Sequence, residues 1–209
     1  MRPGIIVAMD SEFDALRLCG IEEVARSGVG KANAARAATE MILSSRPDCI
    51  ISSGVAGGIG ENVRQGDVVV ASASAYHDVW CGEGWLQGQV MGEDRLFPSS
   101  ASLLEKAASI ASDRPMGVHF GLICTGDQFL TSPEEADKVL SIYPEGLACD
   151  MESAAIAQVC HLYGVPFLCF RAISDVTTAE KSHQELYDGF WSDVSRNSFS
   201  LLRQLLDIL

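Results

Sequence analysis

Asp48-Cys49-Ile50-Ile51-Ser52-Ser53, followed at once by Gly54-Val55-Ala56-Gly57-Gly58, is the stretch on which the fold turns. A short apolar run with a charged residue before it and glycines after it reads as a buried strand that ends in a turn. The same grammar recurs at Gly4 to Met9, Glu23 to Ser27, Asp67 to Ala73, His119 to Thr125, Gly146 to Cys149 and Phe167 to Ser174, which predicts strands there. Segments of helical period lie between several of them. Lys31 to Ser44 is rich in alanine, Ser99 to Ser112 opens on serines suited to capping, Pro133 to Leu140 follows Ser132 with proline in its first turn, and Met151 to Tyr163 is amphipathic. In the last helix Phe190, Val194, Leu201, Leu202 and Leu205 are spaced for one apolar face. Strands alternating with helices predict one α/β domain over residues 1–209, a three-layer α/β/α arrangement around a mixed, mostly parallel twisted sheet.

Composition narrows the classes. Hydrophobic residues make up 47% and charged residues 21%, which excludes disorder and fibrous architectures. A formal charge of −13 repels a polyanion, so nucleic acid is not the expected partner. The 7 cysteines form no C-x-x-C pair and sit mostly in apolar runs, so neither a zinc site nor a disulfide framework is expected. Met1 runs directly into Ile5-Ile6-Val7-Ala8 without a signal-peptide pattern, and no apolar run reaches membrane-spanning length, which places the protein in the cytoplasm. Cys81 to Pro98 is rich in glycine and polar residues and reads as a long loop. Its Trp85, Leu86, Val90 and Met91, with Trp80 just before it, suit a subunit contact or a pocket wall better than open solvent.

In open α/β sheets ligands gather where strands end at their carboxyl side. The residues found there are Met9-Asp10-Ser11-Glu12, Gly28-Val29-Gly30-Lys31, Gly54 to Gly58, Thr125-Gly126-Asp127-Gln128-Phe129, Asp150-Met151-Glu152-Ser153 and Arg171-Ala172-Ile173-Ser174-Asp175. Taken singly, each has a bland reading: a glycine turn is a tight turn, Glu12 is a first-turn acid and Asp175 a helix cap. Gly28-Val29-Gly30 lacks the third glycine of a dinucleotide fingerprint, and no phosphate-binding G-x-x-x-x-G-K-[ST] loop is present, so neither NAD nor ATP is expected. Several acids and one arginine converging at strand ends are harder to explain as packing.

The order of these motifs resembles the 5′-methylthioadenosine/S-adenosylhomocysteine nucleosidases, within the nucleoside phosphorylase fold family. The resemblance runs from Gly4 through Glu12, Ser27 to Lys31, Gly54 to Gly58, Tyr76-His77-Asp78 and Asp150-Met151-Glu152 to Arg171-Ala172-Ile173-Ser174-Asp175-Val176. It implies a nucleoside phosphorylase-like fold, a homodimer and cleavage of a purine N-glycosidic bond with water as acceptor, without cofactor or metal. Such cleavage builds positive charge on the sugar and negative charge on the base, so the site must protonate the base and place a nucleophile on the opposite sugar face. The resemblance assigns Asp175 as the acid at adenine N7, Glu12 as the base that activates water, and Arg171 as an arginine near that water that can also hold the carboxylates in place. Met151 and Glu152 would hold the ribose, Phe129 would stack on the purine and the backbone of Leu130 would read its edge. Val55, Ala56, Gly57 and Ser174 complete the substrate-binding set.

The acceptor is argued separately, because phosphorylase relatives carry an arginine two residues before the glycine matching Gly54, and a serine after it. Here Ser52 and Val55 stand at those positions, which favours hydrolysis over phosphorolysis. The nucleosidases too usually have serine where this chain has Val55, and their region matching Leu16 to Ser27 is longer. Futalosine hydrolysis, phosphorolysis and non-catalytic nucleoside binding are the alternatives. His77, Cys124 and Cys149 are read as structural, and Val55 to Ile59 together with Trp80 to Met91 as candidate dimer surface.

Overall fold

The computed structural model of the chain describes residues 1–112, 116–176, 190–191 and 195–209. Its strands are β1 (Pro3–Val7), β2 (Val24–Arg26), β3 (Cys49–Gly58), β4 (Val68–Tyr76), β5 (Phe97–Pro98), β6 (Val118–Thr125), β7 (Gly146–Asp150) and β8 (Phe167–Val176). The helices are α1 (Asp10–Leu18), α2 (Lys31–Ser45), α3 (Ala101–Ser109), α4 (Pro133–Ile142), α5 (Ser153–Tyr163) and α6 (Ser195–Asp207). Every expected strand is present, and the expected helices from Lys31, Pro133 and the alanine-rich stretch before Tyr163 form with small shifts at their ends. Val194 lies outside the described residues; Leu201, Leu202 and Leu205 are buried on α6 as its apolar face requires, and Phe190, also buried, precedes that helix rather than belonging to it.

The sheet is mixed and mostly parallel. β1 pairs in parallel with β2 and β3, β3 with β8, β4 with β6, and β6 with β7, whereas β3–β7, β4–β8 and β4–β5 are antiparallel. These pairings join β3, β8, β4, β6 and β7 into a closed ring, with β1 and β2 extending from β3. Closure is the feature the alternating strand–helix pattern did not anticipate. It depends on β3, whose first half pairs with β1 and whose last residues, Gly57 and Gly58, turn to β7. The glycines expected to form a turn after a strand are therefore strand residues themselves. A register shift between Ala56 and Gly57 marks where β3 bends, as bulges do in closed sheets.

Alternation along the central strands sorts side chains to two faces. Phe167, Cys169 and Ile173 of β8 join Ile6, Ile50 and the apolar residues of α2 and α5. Leu168, Phe170 and Ala172 instead join Ile5, Val7 and Ile51 with α1, α3 and α6. A third cluster packs Leu122 and Cys124 of β6 under Ala136 and Val139 of α4. Two further expectations are corrected. Val55 to Ile59 is not outer surface, since Ala56 and Ile59 are buried within and just beyond β3. Asp175 is not a helix cap, because it lies inside β8. No helix of the described residues is long and apolar enough to cross a membrane.

Candidate active site

A cavity of about 320 Å³ opens where β1, β3, β6, β7 and β8 end at their carboxyl side. Its walls include Glu12, Val55, Ala56, Gly57, Phe129, Leu130, Met151, Glu152, Ser174 and Asp175. All the expected site residues except Arg171 thus line one cavity. The lining also takes in Ala8, Met9, Val29, Ile59, Gln128, Cys149 and Asp150, none of which was expected to bind substrate.

Glu12 shows how local sequence builds the site. It stands in the third position of α1, after extended Met9, where an acid that reaches back can satisfy the helix's first donors. Its Oε2 accepts hydrogen bonds from the backbone N–H of Ala8 (2.8 Å) and Met9 (2.9 Å). The other oxygen, Oε1, accepts from the N–H of Val55 on β3 at 2.9 Å, which ties α1 to the ring. That approach is possible only over a glycine: Gly54 has φ +142°, and a Cβ there would stand 2.3 Å from Oε1. Glu12 is buried, and burial pushes its carboxyl above the ordinary value, against the pull of Arg171 and the three N–H donors.

Asp150, Met151 and Glu152 follow one another at the end of β7. Glu152 Oε1 accepts from the N–H of Gly30 at 2.9 Å, leaving its other oxygen for a ligand. Burial, and next the charge of Asp150, push Glu152 from 4.5 up to about 7, opposed by Arg171 and the Gly30 N–H. Asp150 accepts from Thr125 Oγ1 (2.6 Å), from Arg171 Nε (2.8 Å) and from Ser153 Oγ. Asp175, 1% exposed, accepts from Ser174 Oγ at 2.6 Å.

Arg171 holds a carboxylate, as expected, and does so from outside the cavity lining. It is 2% exposed and does not line the cavity; it sits behind the wall, donating to Asp150 and, through Nη2, to Ser52 Oγ at 2.9 Å. The reason is its position in β8, where residue alternation turns it toward the start of α5 and the acid it needs. An arginine inside the apolar run Phe167–Val176 was itself the signal that a buried carboxylate must meet it, and Asp150 is that partner.

The remaining candidates behave as structural groups. Cys149 reaches the cavity, but its hydrogen bond with Cys124 and its burial hold the thiol well above its ordinary range, which disfavours a thiolate nucleophile. Burial lowers the pKa of His77. Among the described residues no group of histidine, cysteine and acid side chains is arranged to hold a metal ion.

Glu12 lies against Gly54, while Asp175 faces Gly57 three residues further along β3. Three strand residues span on the order of 10 Å. Two buried acids therefore stand apart across an apolar cavity, with Glu152 between them in sequence and Phe129 offering a half-exposed ring.

A family model described as the phosphorylase superfamily matches residues 23–207. A 5′-methylthioadenosine/S-adenosylhomocysteine nucleosidase of Aeromonas salmonicida is 35% identical over 229 aligned positions, covering 99% of each chain. Among solved structures, the nucleosidase of that name from Neisseria meningitidis, in complex with methylthio-immucillin-A, superposes with a TM-score of 0.90 at 33% identity over 99% of each chain. That of S. pneumoniae, with a transition-state inhibitor, gives 0.88 at 31% identity, covering 99% of this chain and 98% of that one. The chain belongs to the phosphorylase superfamily and, within it, to the 5′-methylthioadenosine/S-adenosylhomocysteine nucleosidases, N-glycosyl hydrolases of purine nucleosides.

Two predictions follow from the geometry. Gly54→Ala places a side chain at φ +142° and forces Glu12 out of its cage, so the melting temperature should fall by several degrees, and because displacement of about 1 Å at a reacting group costs roughly 100-fold, kcat of the folded variant should fall by about that factor. A kcat within about threefold of wild type would contradict the caging. The raised pKa of Glu152 means that the folded protein holds a proton the unfolded chain has released. Its stabilising contribution is full below 4.5 and is lost as the pH rises to about 7. Denaturation of wild type and Glu152→Gln across that window should show wild type losing stability relative to the variant; parallel curves would contradict the shift.

Proposed function

We propose that this chain hydrolyses the N-glycosidic bond of 5′-methylthioadenosine and S-adenosylhomocysteine, releasing adenine and the 5′-modified ribose. The observation that carries the reading is the pair of buried acids set apart along β3, Glu12 over Gly54 and Asp175 over Gly57. In this reading Asp175 delivers a proton to adenine N7, and Ser174 holds its carboxyl in position by the 2.6 Å hydrogen bond. The leaving base departs neutral, and the developing positive charge stays on the sugar. Glu12 takes a proton from the attacking water on the opposite face, its orientation fixed by three backbone donors. Glu152 accepts from ribose hydroxyls with Met151 beside it, Phe129 stacks on the purine, and the backbone of Leu130 reads the base edge. Arg171 acts from behind as a positioning residue: it holds Asp150 and keeps the surrounding carboxylates tolerable in a buried site.

Water rather than phosphate is the acceptor in this proposal. A phosphate needs donors beside Glu12, and there the chain offers the apolar side chain of Val55, while Ser52 is engaged with Arg171 behind the wall. The packing of helices against both faces of the central strands supports reading the fold as three layers, and the continuity of the sheet supports one domain over residues 1–209. We place the enzyme in the cytoplasm, a reducing compartment that suits its 7 free cysteines.

A homodimer is proposed from exposed apolar residues. Trp80, Leu86 and Met91 are 65%, 58% and 59% exposed, and Leu162 at the end of α5 is 61% exposed. Such large side chains beside the groove between α2 and α5 suit a second copy. Light scattering at micromolar concentration should give twice the chain mass; the mass of a single chain would remove the proposal.

The function is tested by free-base release from 5′-methylthioadenosine, S-adenosylhomocysteine, 5′-deoxyadenosine, inosine and futalosine. Adenine should appear from the first two, and Glu12→Gln and Asp175→Asn should each lower kcat at least about 100-fold. Turnover intact in Asp175→Asn would overturn the assigned chemistry, and release confined to futalosine or inosine would overturn the substrate.

A further inference from the structure

The motif Tyr76-His77-Asp78 and the pair Gly126-Asp127 have no part in the chemistry above, yet both meet the start of α2. That helix begins badly by its own sequence: Gly30 before it has no capping side chain, and its first turn contains no acid. The free N–H groups at the positive end of a helix then need acceptors from elsewhere. Two remote carboxylates supply them. Glu152 Oε1 takes the N–H of Gly30 at 2.9 Å, and Asp127 Oδ1 takes the N–H of Lys31 at 2.8 Å. Glu152 is the ribose-side acid of the cavity, and Asp127 begins the segment that carries Gln128, Phe129 and Leu130 into it.

Asp78 closes the arrangement. Its Oδ2 accepts from the N–H of Asp127 at 2.9 Å and from Lys31 Nζ at 2.6 Å. Burial raises the Asp78 carboxyl, but these donors and the lysine charge outweigh it and leave the group below its ordinary value. His77 lies under the same segment: a Cβ on Gly126 would stand 2.4 Å from its Nε2, so Gly126 lets the strand end rest directly on the ring.

We propose that Asp127, held by Asp78, is a positioning residue for nucleoside binding. It fixes the Phe129 segment to the N-terminus of α2, the same helix end that orients Glu152, so the purine side and the ribose side of the cavity are set together. This inference rests on the functional reading above. The hydrogen bonds to backbone N–H groups carry the effect, because they tie the Asp127 segment directly to the helix terminus. The Lys31–Asp78 pair, with side chains 23% and 24% exposed, helps to hold Asp78 in place beneath Asp127.

The test is adenine affinity by calorimetry together with kcat and KM for 5′-methylthioadenosine. Asp127→Ala should raise both the adenine Kd and KM about tenfold, and leave kcat within about threefold because Glu12 and Asp175 lie on α1 and β8. Asp127→Asn should recover most of the affinity, since an amide oxygen still accepts from the Lys31 N–H. Unchanged affinity in Asp127→Ala, or a loss of kcat with affinity intact, would overturn the proposal. Should Asp127→Ala fail to fold, Asp78→Ala decides in its place: about threefold weaker adenine binding is expected, and wild-type binding would overturn the idea. Wild-type protein that binds adenine but cleaves no nucleoside would sink the hydrolase reading and leave these affinities to decide the positioning role. Protein that binds no adenine would remove both.

Discussion

The site depends on one buried ion pair. Arg171 sits inside a sheet strand with 2% of its surface exposed, and its guanidinium meets Asp150 at 2.8 Å. A cation in that position is tolerable only with a partner and satisfied donors, and breaking such a pair leaves an uncompensated buried charge. Ser52 satisfies a second donor, and through it the pair joins β8 to β3 as well as to β7. The same positive charge opposes the burial of Glu12 and Glu152. Glu12, Asp150 and Glu152 can therefore line one apolar cavity in a protein of net charge −13.

From that pair the remaining geometry can be traced. Arg171 fixes Asp150, Asp150 fixes the turn into α5, and that turn presents Met151 and Glu152 to the cavity. Glu152 reaches across to Gly30, and α2 in turn anchors the Phe129 segment through Asp127. On the other side, Glu12 closes the start of α1 and reaches β3 over Gly54. A division of labour between two separated acids is what glycosidic cleavage asks for, with proton delivery to the leaving group on one side and nucleophile activation on the other.

Much of this was legible in the sequence, because the local signals were strong. Apolar runs bounded by glycines and charges gave the strands, and the residues at their carboxyl ends, Glu12, Phe129, Leu130, Met151, Glu152, Ser174 and Asp175, all reach one cavity. Closure of the ring was not legible. It comes from antiparallel pairing of Val68 to Val70 with Phe170 to Ala172, a long-range register that no periodicity encodes. For the same reason Gly54 to Gly58 looked like a turn, and Val55 to Ile59 like surface, when both belong to a strand that changes neighbours midway. Arg171 was read as holding carboxylates and does so through Asp150, but that it stands behind the cavity lining was not legible, since motif order carries no information about which way a strand residue points.

The claim that water is the acceptor is tested most directly by the identity of the sugar product. 5′-Methylthioadenosine would be turned over in phosphate buffer and the products analysed by mass spectrometry. Free 5-methylthioribose, formed at the same rate when phosphate is omitted, is the predicted result. A 5-methylthioribose 1-phosphate that disappears with the buffer phosphate would contradict the account, and would mean that the apolar face of Val55 beside Glu12 does not exclude the anion.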